Sequence, residues 1–140
     1  MAMQATVRWV EGRMFVGESG SGHAVTIDAP VASGGRAMAP SPMELVLMGT
    51  AGCTAVDVVM ILEKMRQKVT DCVVEAQAER ADTEPKVFTK VTLRYRVTGK
   101  GVDRAAVERA VHLSAEKYCS ASIMIGKTAE MVHEIEIVEA

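Results

Sequence analysis

Two cysteines, Cys53 and Cys119, have the sequence surroundings in this chain that most favour a reactive role. Cys53 lies in a long apolar run that is predicted to be helical, and Cys119 closes a second predicted helix. Small residues flank both, so each thiol has room for a small substrate or for a second sulfur. A thiol in such a place is by itself more often a small apolar core residue. Spacing alone does not show that residues 66 positions apart meet. If they do meet, they form a dithiol that opens and closes.

The other potential metal ligands do not form a recognisable site. Cys72 alternates with Val74 along a predicted strand, which indicates a core position. Three Cys and three His at these spacings match no zinc pattern, so we expect no zinc site. The first residues do not have the pattern of a signal peptide, and we therefore expect a cytoplasmic protein with reduced thiols.

Composition predicts one domain over residues 1–140 and limits the expected partners. Only 4% of the residues are aromatic, so the core must be built from aliphatic side chains and the ten Met. The net charge is −2, with 16 basic and 18 acidic residues intermixed. This balance gives no reason to expect a nucleic acid or an anionic membrane surface as partner.

Periodicity and turn residues predict an α+β fold with the order βββ-α-ββ-α-(α)-β. Residues 29–41 are rich in Gly, Pro and small residues and form a long loop. In the fifth strand, alternation places every second residue on the core side: Val87, Thr89, Val91, Leu93, Tyr95 and Val97. The predicted strands are 4–10, 13–18, 23–28, 70–80, 86–98 and a last one around 131–137. The predicted helices are 41–68, 103–118 and 120–126.

The first helix opens with a capping box, in which Ser41 is the N-cap, Pro42 the first helical residue and Glu44 the third. From Leu45 to Leu62 it is apolar nearly all round, which predicts a buried central helix packed against antiparallel sheets. A membrane span is the rival interpretation, since the run has 18 residues. Asp57 would cost roughly 2.5–3.5 kcal/mol there, so we expect no membrane insertion.

Asp57 lies one helical turn after Cys53, on nearly the same face. A carboxylate opposes formation of a nearby thiolate unless a cation lies between the two groups. Two interpretations therefore remain open for Asp57. It holds a cation or a backbone group near Cys53, or it ties the helix to the sheet.

The two cysteine neighbourhoods also carry a family resemblance. The segments PSPMELVLMGTAGC, ending at Cys53, and AEKYC, ending at Cys119, resemble the OsmC/Ohr family of thiol peroxidases, and within it the YhfA-like branch. The element order agrees over roughly residues 3–138. The resemblance implies an intertwined homodimer with the long helices buried between sheets and the sites at the subunit interface.

The resemblance also implies a mechanism without a metal or a bound organic cofactor. The Cys53 thiolate attacks the O–O bond of an organic hydroperoxide and becomes a sulfenic acid. Cys119 condenses with it to a disulfide, and an external dithiol restores the pair. The alternative is a non-catalytic protein on the same scaffold that binds a small apolar ligand near Met43, Met48 and Met60.

The chain departs from the peroxidase pattern around the activating residues. The family's peroxidases have a Glu, paired with an Arg, where this chain has Met43. Glu44 follows it, but lies nine positions before Cys53, roughly 13 Å along a helix. Arg13 and Arg36 are the candidates for the Arg, and each is also explained as a solvated surface charge. These three residues and Asp57 are therefore the supporting candidates, and Cys53 and Cys119 are the expected catalytic pair.

Overall fold

The computed structural model describes residues 2–140, and it divides into two compact units, one up to Val46 and one from Leu47. The α+β class and the predicted element order are confirmed. Strand bounds lie within two residues of those predicted. The strands are β1 Ala5–Glu11, β2 Met14–Ser19, β3 Ala24–Ile27, β4 Lys68–Arg80, β5 Phe88–Lys100 and β6 Glu130–Glu139. The helices are α1 Pro42–Lys64, α2 Arg104–Leu113 and α3 Ser120–Ile125, with a 3₁₀ turn Val31–Ser33 and a π-helical turn Ser114–Tyr118.

The N-terminal unit is a three-stranded antiparallel sheet in the order β1-β2-β3, followed by the long loop. The loop is organised around the buried carboxylate of Asp28. That carboxylate accepts hydrogen bonds from the backbone N–H groups of Ala29, Arg36 and Met38. These bonds, the one from Met38 foremost, lower the pKa of Asp28. The loop is therefore held from one end by a single side chain.

The predicted capping box at the start of α1 is present. The Glu44 N–H donates to Ser41 Oγ at 3.2 Å, and the Ser41 N–H donates to Glu44 Oε1 at 2.9 Å. Each side chain thus satisfies a backbone donor that the first helical turn leaves without a partner. The helix ends at Lys64, four residues before the predicted end, because Arg66 adopts a left-handed backbone with φ 58°.

The second sheet, in the order β4-β5-β6, is mixed rather than antiparallel. β4 and β5 pair antiparallel, as expected for neighbours joined by a short connection. β5 and β6 pair parallel, with Leu93 opposite His133. Parallel neighbours need a crossover connection, and here α2, the π-helical turn and α3 supply it.

The core of the second unit lies between this sheet and the helices. β5 contributes alternate side chains that are fully buried: Val91, Leu93, Tyr95 and Val97. The predictions for Val87 and Thr89 were wrong, because both are exposed and Phe88 is buried instead. The pairing of β4 with β5 shifts register between Glu79 and Arg80. A one-residue shift exchanges the two faces of a strand.

Within one chain α1 is not the buried central helix that its composition predicted. Its buried residues follow one another at every fourth position: Thr50, Thr54, Val58 and Leu62. Elsewhere it leaves large apolar side chains in contact with solvent, and Val56 is 59% exposed. A helix that is apolar on all sides is expected to be covered on all sides. Within one chain, however, only one stripe of α1 is covered by neighbouring elements. By length and composition α1 also meets the requirement for a membrane span, as core helices of soluble proteins do.

Asp103 begins α2, and its side chain accepts a hydrogen bond from the Ala105 N–H at 3.2 Å. We expect Asp103→Ala to lower the free energy of unfolding by about 1 kcal/mol, because the first turn then loses its cap. Asp103→Asn, which retains an accepting oxygen, should stay close to the wild type. Urea unfolding of the three proteins tests this, and equal stability of the Ala and Asn variants would contradict the capping role.

Candidate functional site

Cys53 and Cys119 are held by different kinds of backbone. Cys53 lies on α1 and is half-buried, whereas Cys119 follows the π-helical turn and is fully buried. The Cys119 N–H donates to the Ser114 carbonyl at 2.8 Å, which closes that turn. Irregular turns of this kind recur at functional sites, where they aim a side chain that a regular helix would direct elsewhere.

The Cys119 sulfur makes two hydrogen bonds with Ser122. Cys119 Sγ donates to Ser122 Oγ at 3.0 Å and accepts from the Ser122 N–H at 3.3 Å. Burial raises the pKa of the Cys119 thiol, and the contacts with Ser122 only partly oppose this effect. The group is therefore held as a neutral thiol with a fixed orientation.

The structure brings the side chains of Cys53 and Cys119 together. Cys53 is close enough to interact with Cys119 through both hydrogen bonding and charge, and both effects raise the pKa of Cys119 further. The two sulfurs are free thiols rather than a disulfide. Cys72 is also a free thiol, on β4 opposite Val97. Burial, with the charge of Asp71, raises the pKa of Cys72, which suits a core position.

Beside the two thiols runs a chain of hydrogen-bonded side chains that joins α1, the π-helical turn, β5 and β6. Ser114 Oγ donates to Asp57 Oδ2 at 2.9 Å. Thr54 Oγ1 lies 2.8 Å from Ser114 Oγ and 2.9 Å from the Tyr95 hydroxyl. The Tyr95 hydroxyl lies 3.1 Å from His133 Nδ1. Among residues 2–140 no buried side-chain nitrogen or oxygen lacks a hydrogen-bond partner, so every buried polar group in this series is hydrogen-bonded.

The carboxylate of Asp57 sets the direction of every bond in this chain, because an ionised carboxylate only accepts. Ser114 uses its single proton on Asp57 and must accept from Thr54. Thr54 in turn must accept from the Tyr95 hydroxyl, so that hydroxyl accepts from His133. The arrangement therefore assigns to neutral His133 the tautomer with its proton on Nδ1.

The aromatic end of the chain is kept neutral. Burial raises the pKa of Tyr95 to about 12, although its bond to Thr54 opposes the shift. The His133 ring stacks on Tyr95 with centroids 5.9 Å apart. Burial lowers the pKa of His133 below its ordinary value of 6.5, and the charge of Glu116 only partly offsets this. Both groups thus supply hydrogen bonds without charge.

The structure gives Asp57 a partner that neither of the two interpretations named. Its partner is the hydroxyl of Ser114, so it ties α1 to the π-helical turn rather than to the sheet. Asp57 also lines a groove of about 360 Å³ with Met60, Ile61, Lys64, Leu113 and Tyr118. Among residues 2–140 there is no group of three or more His, Cys, Asp or Glu placed to hold a metal ion.

The other three supporting candidates, Glu44, Arg36 and Arg13, belong to the N-terminal unit and have neighbours there. The Glu44 carboxylate is engaged in the capping box. Arg36 Nη2 lies 2.9 Å from Glu11 Oε1, in an exposed ion pair. The Arg13 guanidinium lies beside Gly34, whose positive φ of 87° places the loop backbone there. Their predicted roles in activating Cys53 remain predictions.

Sequence reasoning missed the hydroxyl and imidazole groups of the site. Thr54, Tyr95, Ser122 and His133 stood in patterns that looked like plain helix or strand. Ser114 carried the one usable signal, since it is a hydroxyl on the otherwise apolar stripe of α2. A buried hydroxyl needs a partner, and that requirement points to a polar residue on a facing element.

Comparison with known proteins identifies the family of the chain. The sequence profile described as OsmC-like protein matches residues 34–134. The chain belongs to the OsmC-like family. Protein YhfA of Escherichia coli strain K12 is 51% identical over 138 residues, which cover 99% of this chain and all of that protein.

Solved structures of OsmC-like proteins share the fold. A hypothetical protein from Aquifex aeolicus VF5 is 27% identical with a TM-score of 0.88, covering all of this chain and 98% of the other. The organic hydroperoxide resistance protein OhrB of Bacillus subtilis is 21% identical with a TM-score of 0.65, covering 97% and 98%. The first shows close similarity in three dimensions, and the second shows a common fold.

His133 should make the stability of this OsmC-like protein depend on pH. Its folded-state pKa is lowered, so the unfolded chain binds more protons and the stabilising contribution of neutral His133 is lost as pH falls through 6.5. We expect the free energy of unfolding to fall between about pH 7.5 and pH 5.5, and to fall less in His133→Gln. His112→Gln is the matched control, because His112 is exposed. Equal pH slopes in the wild type and His133→Gln would contradict this assignment.

Proposed function

We propose that this protein is a two-cysteine thiol peroxidase that reduces organic hydroperoxides. The observation that carries the proposal is the placement of Cys53 against Cys119 in an OsmC-like chain. Support also comes from the fold shared with a protein named for organic hydroperoxide resistance. We place the activity in the cytoplasm, where thiols are kept reduced.

The proposed cycle has three balanced steps. The Cys53 thiolate attacks the terminal oxygen of the hydroperoxide, the O–O bond breaks, and the alkoxide leaves and takes a proton to become an alcohol. The Cys119 sulfur then displaces hydroxide from the Cys53 sulfenic acid, and a disulfide and water form. An external dithiol reduces that disulfide by exchange and is itself oxidised to a disulfide.

Burial supports this division of roles between the two thiols. Cys53 is half-buried and is therefore reachable by a substrate, whereas Cys119 is sealed from solvent. The raised pKa of Cys119 disfavours its thiolate, so it is a poor first nucleophile. Its fixed orientation beside Cys53 suits the resolving step, which needs proximity more than access.

Cysteine variants test the peroxidase proposal directly. After addition of an organic hydroperoxide, the wild type should form an intramolecular disulfide. Cys119→Ser should accumulate a Cys53 sulfenic acid that dimedone traps, because no thiol resolves it, and Cys53→Ser should form neither product. Mass spectrometry of the labelled proteins distinguishes these species.

Cys72→Ser is the matched control, since it removes the third thiol and leaves the pair intact. It should behave as the wild type does. The proposal is wrong if Cys53→Ser consumes hydroperoxide as fast as the wild type, or if wild-type thiols are lost no faster than free cysteine.

We further propose that the protein is a homodimer in which a second copy covers the apolar surface of α1. Only 22% of the most apolar 18-residue window of α1 is buried within one chain. Apolar surface that large usually marks an interface. The hydrogen bonds of Thr54 and Asp57 are made within the chain, which favours a protein partner over lipid around this helix.

A charge on the exposed face of α1 should weaken the dimer. Val56 is 59% exposed in one chain, so Val56→Glu leaves the fold of the subunit intact but buries a carboxylate in the interface. We expect its sedimentation coefficient to fall to that of a 15.0 kDa monomer, without detergent, at concentrations where the wild type is dimeric. Val87→Glu makes the same change at an exposed valine of the 81–87 connection and should remain dimeric. A monomeric wild type would exclude the proposal.

The groove beside Asp57 supports a second candidate function, binding of a small apolar ligand without turnover. Its walls are mostly apolar, and Met60 is half exposed in it. Met side chains adapt readily to irregular ligands. The cysteine experiment separates the two functions, because a binding protein would show no sulfenic acid at Cys53.

A further inference from the structure

We infer that Thr54 is a positioning residue, which holds the Cys53 and Cys119 sulfurs at the separation and orientation needed for disulfide formation. The inference rests on the proposed pairing of these thiols. It goes beyond that pairing by assigning a role to the hydroxyl chain that runs beside it. Neither sulfur belongs to that chain, so Thr54 acts through the backbone that carries each of them.

The connection from Thr54 to the two cysteines is short on both sides. Thr54 directly follows Cys53 on α1 and is fully buried. Its hydroxyl bonds Ser114 Oγ at 2.8 Å, and the Ser114 carbonyl accepts the Cys119 N–H at 2.8 Å. One side-chain bond therefore joins the helical turn that bears Cys53 to the π-helical turn that ends at Cys119.

The donor and acceptor directions along the hydrogen-bonded series fix the bond between Thr54 and Ser114. Asp57 accepts a hydrogen bond from the Ser114 hydroxyl, so Thr54 can only donate to Ser114. The Tyr95 hydroxyl donates the hydrogen bond that Thr54 accepts. A hydroxyl with both roles assigned by buried neighbours has one preferred rotamer. Since Asp57 lies one turn from Cys53 on the same helix, α1 contacts Ser114 at two points, which limits sliding as well as separation.

A merely structural role for Thr54 makes a different prediction. Loss of a buried hydrogen bond lowers the stability of the whole subunit, but does not by itself change how readily two neighbouring thiols join. A positioning role does change it, because pre-organised groups lose less freedom when the bond forms. The equilibrium constant for disulfide formation therefore separates the two roles.

The experiment equilibrates the full-length protein with reduced and oxidised glutathione in varied ratios, without hydroperoxide. In this exchange the Cys53–Cys119 disulfide forms as oxidised glutathione is reduced to two thiols. We expect Thr54→Val to lower the equilibrium constant about tenfold, which corresponds to about 30 mV for a two-electron couple. Thr54→Ser, which keeps the hydroxyl, should restore most of the wild-type value.

Thr50→Val is the matched control, because Thr50 is buried on the same face of α1 one turn earlier. It should leave the equilibrium constant unchanged. Ser114→Ala breaks the same bond from the other side and should reproduce the effect of Thr54→Val, so it decides the matter if Thr54→Val does not fold. The inference is overturned if the folded Thr54 or Ser114 variant matches the wild type, or if Thr50→Val has an equal effect.

This readout does not depend on peroxidase activity. A wild type that forms the disulfide in glutathione but does not react with hydroperoxide would sink the proposed function and leave the positioning role standing. A wild type that forms a sulfenic acid but no intramolecular disulfide would overturn the positioning role and the resolving role of Cys119, and would leave the reaction of Cys53 with hydroperoxide standing.

Discussion

The hydrogen bond between Thr54 and Ser114 is the contact on which the arrangement of the site depends. It joins two elements that are 60 residues apart in the chain, and each of them bears one of the two paired cysteines. Asp57 accepts from the same Ser114 hydroxyl and so gives the bond its direction. A buried polar group without a partner is costly, and separating α1 from the π-helical turn would break the bonds of Thr54 and Asp57 with Ser114. Hydrogen bonding between buried polar side chains thus specifies the site as much as apolar packing does.

The same chain explains how an apolar helix can carry reactive groups. α1 buries two threonines in its inward stripe, where most core helices have aliphatic residues. The Thr54 hydroxyl costs little because its partners, Ser114 and Tyr95, are also buried. The apolar remainder of α1 faces outward in one subunit, and a second copy is the proposed cover. A helix that is apolar on both sides can therefore serve one subunit core and one interface.

The aromatic groups near the thiols are neutral, and this limits the chemistry the site can perform. Tyr95 and His133 are both held uncharged by burial, and Cys119 is held as a thiol. None of them stabilises a thiolate by charge. The proposed first step therefore depends on the access of Cys53 to substrate, and the second on its closeness to Cys119. The departure at Met43 from the peroxidase pattern is consistent with a site whose dithiol is better defined than its activation.

Local rules of sequence determined much of this protein. Capping by Ser41 and Asp103, the alternation of the strands and the order of elements follow from interactions between near neighbours, and they were predictable. Which residues face the core at the start of β5 was not predictable, because the register shift there depends on the partner strand β4. The parallel pairing of β6 and the one-sided burial of α1 likewise depend on elements distant in sequence. Cys53 and Cys119 were identifiable from their flanking residues, but only the tertiary structure placed them together. Only the tertiary structure also revealed the series of hydrogen-bonded hydroxyls through Thr54, because a hydrogen-bond partner 60 residues away leaves no local sequence pattern.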